Sequence, residues 1–348
     1  MAANEPTSGH YRTLFLAFVL SKAVLVAIAA GSQVGPTYDT STSLLSLSLN
    51  TNASSSAIRN AVAGARPDDH LLTRLTSWDA VYFLKAAERG YLFEQEWAFG
   101  SALPMCISLL HRALTPLGIT NPSLVDPAHV LPLLGVAITN TCHFLSSLVL
   151  YQLGVRVCAD ATWALVAALL HLFSPAGMFL VAPFQESPFA LLSFLGWWLL
   201  VKSCYCSSAK SHSSSSSSTS YSLSQDVLTL LAGVSFGLAT LFRSNGLLNG
   251  IPLALDFLRT LYNLVEDVGP TPGGSGSAVA ASTTAAHARR LVVLGLSGMT
   301  AAAGSLVPQV LAYRMYCTGA GAAGSTNVRP WCVKLVPSIY NFVQQHYW

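Results

Sequence analysis

Runs of about 20 apolar residues recur along the chain, and they restrict its fold most strongly because a helix needs about that length to cross a bilayer. Charged residues make up only 9% of the 348 residues, against about 25% in soluble domains. The predicted spans cover residues 12–32, 130–153, 161–182, 187–204, 226–242, 246–262 and 289–315. The sequence therefore predicts an all-α polytopic membrane protein, with residues 1–348 forming a single transmembrane domain.

The cations of the short loops predict the orientation of these spans, because cytosolic loops carry the excess of Lys and Arg. With a cytosolic N-terminus, the following cations fall on the cytosolic side: Arg12, Arg156, Lys202, Lys210, Arg289 and Arg290. The lumenal side then receives a long first loop at 33–128, the turns near Pro183 and Arg243, and the C-terminal segment. The polar motifs of the chain are thus predicted to share the lumenal face.

Several segments between the spans have compositions that predict their state. Residues 205–225 form a serine-rich linker and residues 263–288 a loop rich in small residues, so we expect a disordered linker and a flexible loop in the cytosol. Residues 103–117 are apolar but contain a His-Arg pair, which favours a helix at the membrane interface. Asn52 begins an Asn-Ala-Ser sequon, which predicts glycosylation if the first loop is lumenal.

Net charge and cysteine spacing argue against two classes of site. A net charge of +3, spread along the chain, does not form the basic surface that nucleic-acid binding requires. The seven cysteines show neither a CxxC motif nor the Cys and His spacing of a metal site, so we expect no metal cofactor. Cys317 and Cys332 flank a glycine-rich loop, and they could pair if that loop lies in an oxidising lumen.

Asp79 is the candidate catalytic residue, and two interpretations of it are open. The order of Thr76 and Asp79 has the form of a capping box, in which Thr76 caps a helix and Asp79 is its third residue. The alternative is a carboxylate on an aromatic surface formed by Trp78, Tyr82 and Phe83, next to a membrane span. Such aromatic side chains favour the membrane interface and offer faces to sugar rings, which suits a substrate with a sugar head and a lipid tail.

Glu94 and Glu96 form a second acidic group in the same loop. Trp97 and Phe99 return the chain to the membrane surface directly after them. Both glutamates are therefore either solvated loop charges or side chains that hold the hydroxyl groups of an acceptor.

Two further polar groups interrupt apolar sequence. Gln185 and Glu186 lie between two apolar runs, either in an interfacial turn or along the same cavity as Asp79. Arg243 and Asn245 interrupt another run, where a polar side chain is unfavourable unless it reaches an interface or a polar cavity. Arg243 is either a snorkelling cation or a contact for phosphate, whose oxygens a guanidinium binds in pairs.

The motifs around these residues resemble those of the GPI mannosyltransferase 2 (PIG-V) family, where GPI is glycosylphosphatidylinositol. The matching stretches are residues 77–84, 88–91, 94–99, 174–177, 183–187, 243–248, 329–332 and 337–340. Each stretch is short, but they occur in the family's order and run through most of the chain. Members of the family continue into further spans, so we expect more spans beyond Trp348.

The resemblance implies a GT-C fold in the endoplasmic reticulum membrane, with the active face lumenal. It implies transfer of the second GPI mannose from dolichyl-phosphate mannose in α-1,6 linkage, with inversion and without a metal, and it allows for a small membrane partner subunit. Asp79 is then the base on the acceptor hydroxyl, and Arg243 contacts the leaving phosphate. The candidate substrate-binding residues are Trp78, Tyr82, Glu94, Glu96, Gln185, Glu186, Arg243 and Asn245.

Other functions remain open at this point. One is a different GT-C transferase that uses a dolichyl-phosphate sugar and acts on protein or on a lipid-linked oligosaccharide. A lipid transporter is less favoured, because transporters place polar residues at mid-membrane in repeated halves, and this sequence has no repeat. A non-catalytic subunit of a transferase is the third alternative.

Overall fold

The computed structural model describes residues 7–32, 71–120, 127–211, 221–268, 278–318 and 329–347. Within these ranges the chain is helical and has no strand. The α-helices are α1 (Ser8–Gly31), α2 (Leu71–Arg74), α3 (Asp79–Arg89), α4 (Ala102–Leu114), α5 (Pro127–Cys158), α6 (Ala161–Leu172), α7 (Glu186–Ser211), α8 (Leu223–Phe242), α9 (Ile251–Val268), α10 (Ala278–Tyr313) and α11 (Ile339–His346). Short 3₁₀ helices cover Glu94–Ala98, Thr115–Leu117, Gly177–Leu180 and Ser244–Gly250, and a π-helix covers Arg314–Thr318.

Helices α1, α5, α7, α8 and α10 are long and apolar enough to cross a membrane. The qualifying segments within the described ranges are Ser8–Gly31, His129–Cys158, Glu186–Cys204, Leu223–Phe242 and Ser282–Thr318. Many of their large apolar side chains face outward, as expected of helices whose solvent is lipid. The chain is therefore an all-α, multi-pass membrane protein, as the sequence predicted.

Two predicted spans are not continuous α-helices. The run at 161–182 contains α6, which ends at Leu172, followed by a separate 3₁₀ helix. Pro175 follows the end of α6, and proline cannot donate the backbone hydrogen bond that would continue a helix. The run at 246–262 begins as a 3₁₀ helix, and α9 starts only at Ile251, with Pro252 in its first turn, where proline is tolerated.

The helices also extend into both predicted cytosolic loops. Helix α7 continues to Ser211 and α8 starts at Leu223, so helix occupies both ends of the predicted 205–225 linker. Helices α9 and α10 likewise cover the two ends of the predicted 263–288 loop. The predicted bounds of both loops therefore include residues that are helical in the structure. Residues 212–220 and 269–277 of the two loops and the sequon at Asn52 lie outside the described residues.

Helix α8 packs closely against α7 on one side and α10 on the other. Glycines allow the approach to α10: a Cβ atom at Gly233 would lie 2.6 Å from the Cα of Ser297, and one at Gly237 would collide with the Thr300 carbonyl. Small residues at such contacts let two helix backbones approach each other within a membrane. This packing holds the end of α8 at Phe242 beside the last turns of α10.

The C-terminal segment folds back onto the end of α10. A disulfide joins Cys317 and Cys332, whose Cα atoms lie 5.7 Å apart. Trp331 is fully buried beside the disulfide, against Ile339 and Val343 of α11. The pairing that the sequence left open is therefore present. Structural disulfides persist in oxidising compartments, which agrees with the predicted lumenal side for this segment.

An ion cluster around the buried Arg290 and Asp226 joins α8, α9 and α10 at the other end of α8. The Arg290 guanidinium, in a side chain only 3% exposed, lies 2.8 Å from the Asp256 carboxylate and 3.9 Å from that of Asp226. Arg290 also donates a 2.8 Å hydrogen bond to Thr229 Oγ1, and Arg289 pairs with Asp226 from the surface. The sequence predicted that Arg289 and Arg290 only flank a span on its cytosolic side. In the structure, Arg290 is part of the packing between helices.

Candidate active site

A cavity of about 470 Å³ opens where the ends of α7, α8 and α10 meet the start of α3. We call it the main cavity. Its lining includes Asp79, Phe83, Phe99, Gln185, Glu186, Phe242, Arg243, Asn245, Gln309, Ser338 and Tyr340. The volume falls in the range of about 300–1,000 Å³ that is usual for small-ligand sites. The structure thus brings together five predicted site residues from three separate regions of sequence: Asp79, Gln185, Glu186, Arg243 and Asn245.

Asp79 is the first residue of α3, and the capping-box interpretation is wrong. Trp78 occupies the cap position without a side-chain hydrogen bond, so Thr76 is not the cap and Asp79 is not the third residue. The Thr76 hydroxyl donates instead to the Leu72 carbonyl at 2.7 Å. Trp78 has a φ of 58°, which is strained for a residue with a side chain, and such strain is often found at functional sites.

The apolar face of α3 fixes the position of Asp79. Ala80, Phe83, Leu84 and Ala87 are buried in a core cluster that also includes residues of α4 and the segment before α7. These residues follow the three- and four-residue spacing that places side chains on one face of a helix. Asp79 lies at the edge of this face, and it is therefore held at the cavity wall by the packing of its own helix.

The Asp79 carboxyl group is a better proton acceptor than an ordinary aspartate. Its partial burial raises its pKa, because a charged group loses hydration there, and the Arg243 guanidinium partly offsets this by lowering the pKa. A carboxylate whose pKa is raised binds a proton more readily in the transition state of a proton transfer. The environment therefore suits Asp79 for general-base chemistry.

Arg243 and Glu186 form an ion pair at the cavity wall. Glu186 is the first residue of α7, where the helix dipole favours a negative charge. Arg243 follows the last residue of α8, and its side chain remains 42% exposed. Glu186 accepts from one guanidinium nitrogen, and a guanidinium has five N–H donors. Arg243 is therefore oriented by Glu186 and keeps donors for an anion such as phosphate.

Gln185 builds the cavity wall rather than projecting freely into it. Its side-chain amide donates a 2.7 Å hydrogen bond to the Gly100 carbonyl. Gly100 itself packs so closely on the end of α8 that an added Cβ atom would lie 2.7 Å from the Leu241 carbonyl oxygen. This contact ties the first loop to α7 and α8. Asn245, in the 3₁₀ helix after Arg243, is exposed at the opening.

Glu94 and Glu96 lie outside the lining of the main cavity and have protein partners. Glu94 accepts from Trp331 Nε1 at 2.8 Å and from Arg329 at 2.5 Å, which fastens the C-terminal segment to the first loop. Glu96 is 2% exposed; it pairs with Arg89 at 2.5 Å and accepts from two backbone N–H groups just before it. Both contacts organise the loop.

Trp78 and Tyr82 lie on the other side of Asp79, in a separate cavity of about 370 Å³. We call it the second cavity. The Trp78 side chain is 59% exposed, and the Tyr82 ring stacks on Phe99 with ring centroids 4.8 Å apart. The predicted substrate-binding residues thus lie in two cavities that share Asp79, except for Glu94, which lines neither of them.

The sequence did not single out Gln309, Ser338 or Tyr340 as site residues. The Gln309 amide oxygen accepts from the Ser338 hydroxyl at 3.1 Å and from the Tyr340 backbone N–H at 3.4 Å, so α10 holds the C-terminal segment at the main cavity. One signal was available: Gln309 and Pro308 interrupt the apolar end of α10.

Comparison with known proteins places the chain among membrane transferases. The profile of a family described as "Mannosyltransferase (PIG-V)" matches residues 12–348. "GPI mannosyltransferase 2" of Chaetomium globosum is 45% identical over 97% of this chain and 69% of its own length. The protein of the same name in Gibberella zeae is 36% identical over 95% and 65%.

A mammalian protein is also similar. "GPI alpha-1,6-mannosyltransferase 2" of Rattus norvegicus is 28% identical over 80% of this chain and 52% of its own length. The chain spans about two thirds of the length of the two fungal relatives. No solved structure shows significant similarity to the chain.

Proposed function

The chain belongs to the PIG-V family of mannosyltransferases, and we propose that it moves mannose from dolichyl-phosphate mannose to a GPI intermediate. Its fold class is that of a polytopic GT-C glycosyltransferase. The fungal relatives are named for GPI mannose transfer and the rat relative for an α-1,6 linkage. The proposal gives this chain the same reaction, the addition of the second mannose in α-1,6 linkage.

The observation that carries the proposal is the position of Asp79 on the wall of a cavity that also contains Arg243. The donor is β-linked and the product α-linked, so the reaction inverts and requires one base on the acceptor hydroxyl. Asp79 takes the proton of that hydroxyl while its oxygen forms a bond to the anomeric carbon. The bond from this carbon to the phosphate oxygen breaks, and dolichyl phosphate leaves with the electron pair.

Arg243 stabilises the leaving phosphate in this proposal. Its charge is close enough to Asp79 to lower the pKa of that carboxyl group, and Glu186 fixes the direction of its guanidinium. Preorganised donors aimed at developing negative charge are a large source of transition-state stabilisation. The arginine takes the place that a divalent metal has in many nucleotide-sugar transferases, so the proposed reaction needs no metal cofactor.

We place the active face in the lumen of the endoplasmic reticulum. The loop cations put the main cavity on the non-cytosolic side, and the disulfide between Cys317 and Cys332 beside it suits an oxidising compartment. The lipid-linked donor and the GPI acceptor then reach the cavity from the lumenal leaflet. The proposal also includes a small membrane partner subunit, on the basis of the family resemblance alone; co-purification in mild detergent would identify it.

Microsomes test this function directly. The microsomes would be prepared from cells that lack their own second GPI mannosyltransferase and express this chain. Labelled dolichyl-phosphate mannose and a GPI acceptor bearing one mannose would then be added to them. We expect a product with two mannoses that a linkage-specific α-1,6-mannosidase shortens. Microsomes without the chain and a reaction with dolichyl-phosphate glucose are the controls. Transfer to a lipid-linked oligosaccharide or to protein instead would contradict the proposal.

A further inference from the structure

Asp79 separates the main cavity from the second cavity, and helix geometry explains why. The face of α3 that carries Phe83 points into the protein core, whereas Tyr82, Lys85 and Arg89 lie on the outward side and line the second cavity. Asp79 is at the boundary between the two faces and lines both cavities. A single carboxylate is thus accessible from two directions.

An inverting reaction requires the base to be accessible from two directions. The acceptor oxygen approaches the anomeric carbon from the side opposite to the departing phosphate. Arg243 is the cation that acts on Asp79 within the main cavity, so the phosphate of the donor is best accommodated there. The acceptor sugar must then reach Asp79 from the other direction, through the second cavity.

The walls of the second cavity suit a sugar. Trp78 exposes most of its indole, and the strained backbone at this residue presents it directly beside Asp79. Tyr82 is held flat by its stacking on Phe99. Aromatic rings of this kind cover the apolar faces of sugars, and Gln95 adds an amide that can bind hydroxyl groups.

The charge of the second cavity suits a phosphate at a distance from Asp79. Apart from the shared Asp79, its lining holds the cations Lys85 and Arg89 and the anion Glu96, a net charge of +1, whereas Arg243 and Glu186 cancel in the main cavity. Arg89 is committed to Glu96. In the part of the chain that the structure describes, Lys85 pairs with the exposed Glu88 at 2.9 Å, and pairs with an exposed partner are weak enough to exchange.

The spacing along α3 fits the acceptor. Lys85 is six residues from Asp79 and Arg89 is ten, which corresponds to about 9 and 15 Å along a helix. A mannosylated GPI has its reacting sugar at one end and a phosphodiester beyond the inositol at the lipid end. Cations along α3 therefore lie on the side of Asp79 towards which the inositol phosphodiester can extend when the sugar contacts Asp79.

We propose that the second cavity is the acceptor subsite, in which Trp78 and Tyr82 hold the sugar whose hydroxyl faces Asp79 and Lys85 binds the inositol phosphodiester. This inference rests on the proposed function and goes beyond it by assigning a separate site to each substrate. It also assigns roles to Lys85 and Gln95, which the motifs had not indicated.

Steady-state kinetics of Lys85→Gln in microsomes test the subsite. We expect the KM for the GPI acceptor to rise about tenfold or more, since the variant loses a hydrogen bond between two charged groups. The KM for dolichyl-phosphate mannose and kcat should stay within about twofold, because Lys85 is not among the groups that would contact the donor. Lys334→Gln, an exposed lysine outside both cavities, is the matched control and should behave as wild type.

Two substitutions at Tyr82 separate stacking from hydrogen bonding. Tyr82→Phe keeps the ring on Phe99 and should raise the acceptor KM less than Tyr82→Leu, which removes the aromatic ring. An increase in the donor KM with an unchanged acceptor KM in Lys85→Gln would mean that the donor phosphate occupies the second cavity, and would overturn the inference. Unchanged values for both substrates in Lys85→Gln and Tyr82→Leu would overturn it too.

A binding measurement distinguishes failure of the subsite from failure of the proposed function. The probe is the water-soluble glycan of the mono-mannosylated acceptor, with and without its inositol phosphate, added to the purified full chain in detergent. The phosphorylated form should bind more tightly to wild type and to Lys334→Gln, and this preference should disappear in Lys85→Gln. If wild type transfers no mannose but shows the preference, only the proposed reaction is wrong; if it transfers mannose without the preference, the subsite is wrong.

Discussion

The two ends of helix α8 carry charged groups that differ in their exposure. At one end, Arg290 is 3% exposed and lies between Asp226 and Asp256. At the other end, Arg243 pairs with Glu186 but remains 42% exposed towards a cavity. A buried cluster whose charges are matched by protein partners holds helices together, and breaking it leaves an uncompensated charge. An open pair keeps donors for a substrate, so the exposure of the arginine, 3% for Arg290 against 42% for Arg243, separates structural charge from functional charge.

The first loop repeats this contrast. Glu94 and Glu96 are matched by Arg329, Trp331 and Arg89, whereas Asp79 faces two cavities. All three acids have aromatic residues close by in the sequence. Their different roles therefore come from what the tertiary structure brings next to them.

The largest expected effect on stability is at the buried end of α8. Arg290→Met keeps most of the side-chain volume but removes the buried cation beside Asp226 and its hydrogen bond to Thr229, while Arg289 still pairs with Asp226. We expect a loss of about 1–3 kcal/mol, as when a buried polar group loses its partner. Thermal unfolding in detergent and the abundance of the variant in membranes would measure this loss of stability.

Arg289→Gln is the matched control, because Arg289 pairs with Asp226 from a half-exposed position. It should cost about 1 kcal/mol or less. Equal stability of Arg290→Met and wild type would show that the cluster does not hold the helices together.

At the open end of α8, Arg243→Gln should leave abundance nearly normal and lower the transfer rate by about 10²-fold, as when one preorganised charged donor is lost. Arg243 lowers the pKa of Asp79, so its removal should raise that pKa further. The rate falls when Asp79 is protonated, and the acid limb of the pH–rate profile should therefore move to higher pH. An unchanged profile would mean that Arg243 does not act on the base.

Glu94→Gln should have a smaller effect that is structural. The variant loses the ion pair with Arg329 but can still accept from Trp331, so we expect a loss of about 1 kcal/mol or less. Limited proteolysis of the C-terminal segment should become somewhat faster, while transfer by the folded protein stays near normal. A tenfold rise in the acceptor KM would instead support the prediction that Glu94 holds acceptor hydroxyls.

The smallest effect is expected in the serine-rich linker. Replacing residues 212–220 by a Gly-Ser segment of equal length should change neither abundance nor transfer, with any change in stability within about 0.5 kcal/mol. Such a composition buries little apolar surface. Loss of transfer at normal abundance would show that the serine side chains themselves have a role.

Much of the architecture was predictable because bilayer thickness sets the length of a span. The gathering of Gln185, Glu186, Arg243 and Asn245 was also predictable, since each follows or precedes a span on the same face. The break after α6 could have been inferred from Pro175. These features depend on local sequence and on the membrane alone.

Other parts of the site depend on contacts between residues far apart in sequence. Trp331 and Arg329 are more than 200 residues away from Glu94, and nothing in the loop sequence indicates that they meet. The division into two cavities depends on the point at which α3 begins. That point is set by the backbone at Trp78, which a capping pattern at Thr76 predicted wrongly.

The role of Asp79 as the base is tested by the turnover of Asp79→Asn in microsomes containing measured amounts of enzyme. Asparagine keeps the size of the side chain and its ability to accept hydrogen bonds but cannot take the proton. We expect normal abundance, accumulation of the mono-mannosylated acceptor and a fall in transfer of about 10²-fold or more, as when a general base is removed. Near-normal turnover by this variant would mean that Asp79 is not the base.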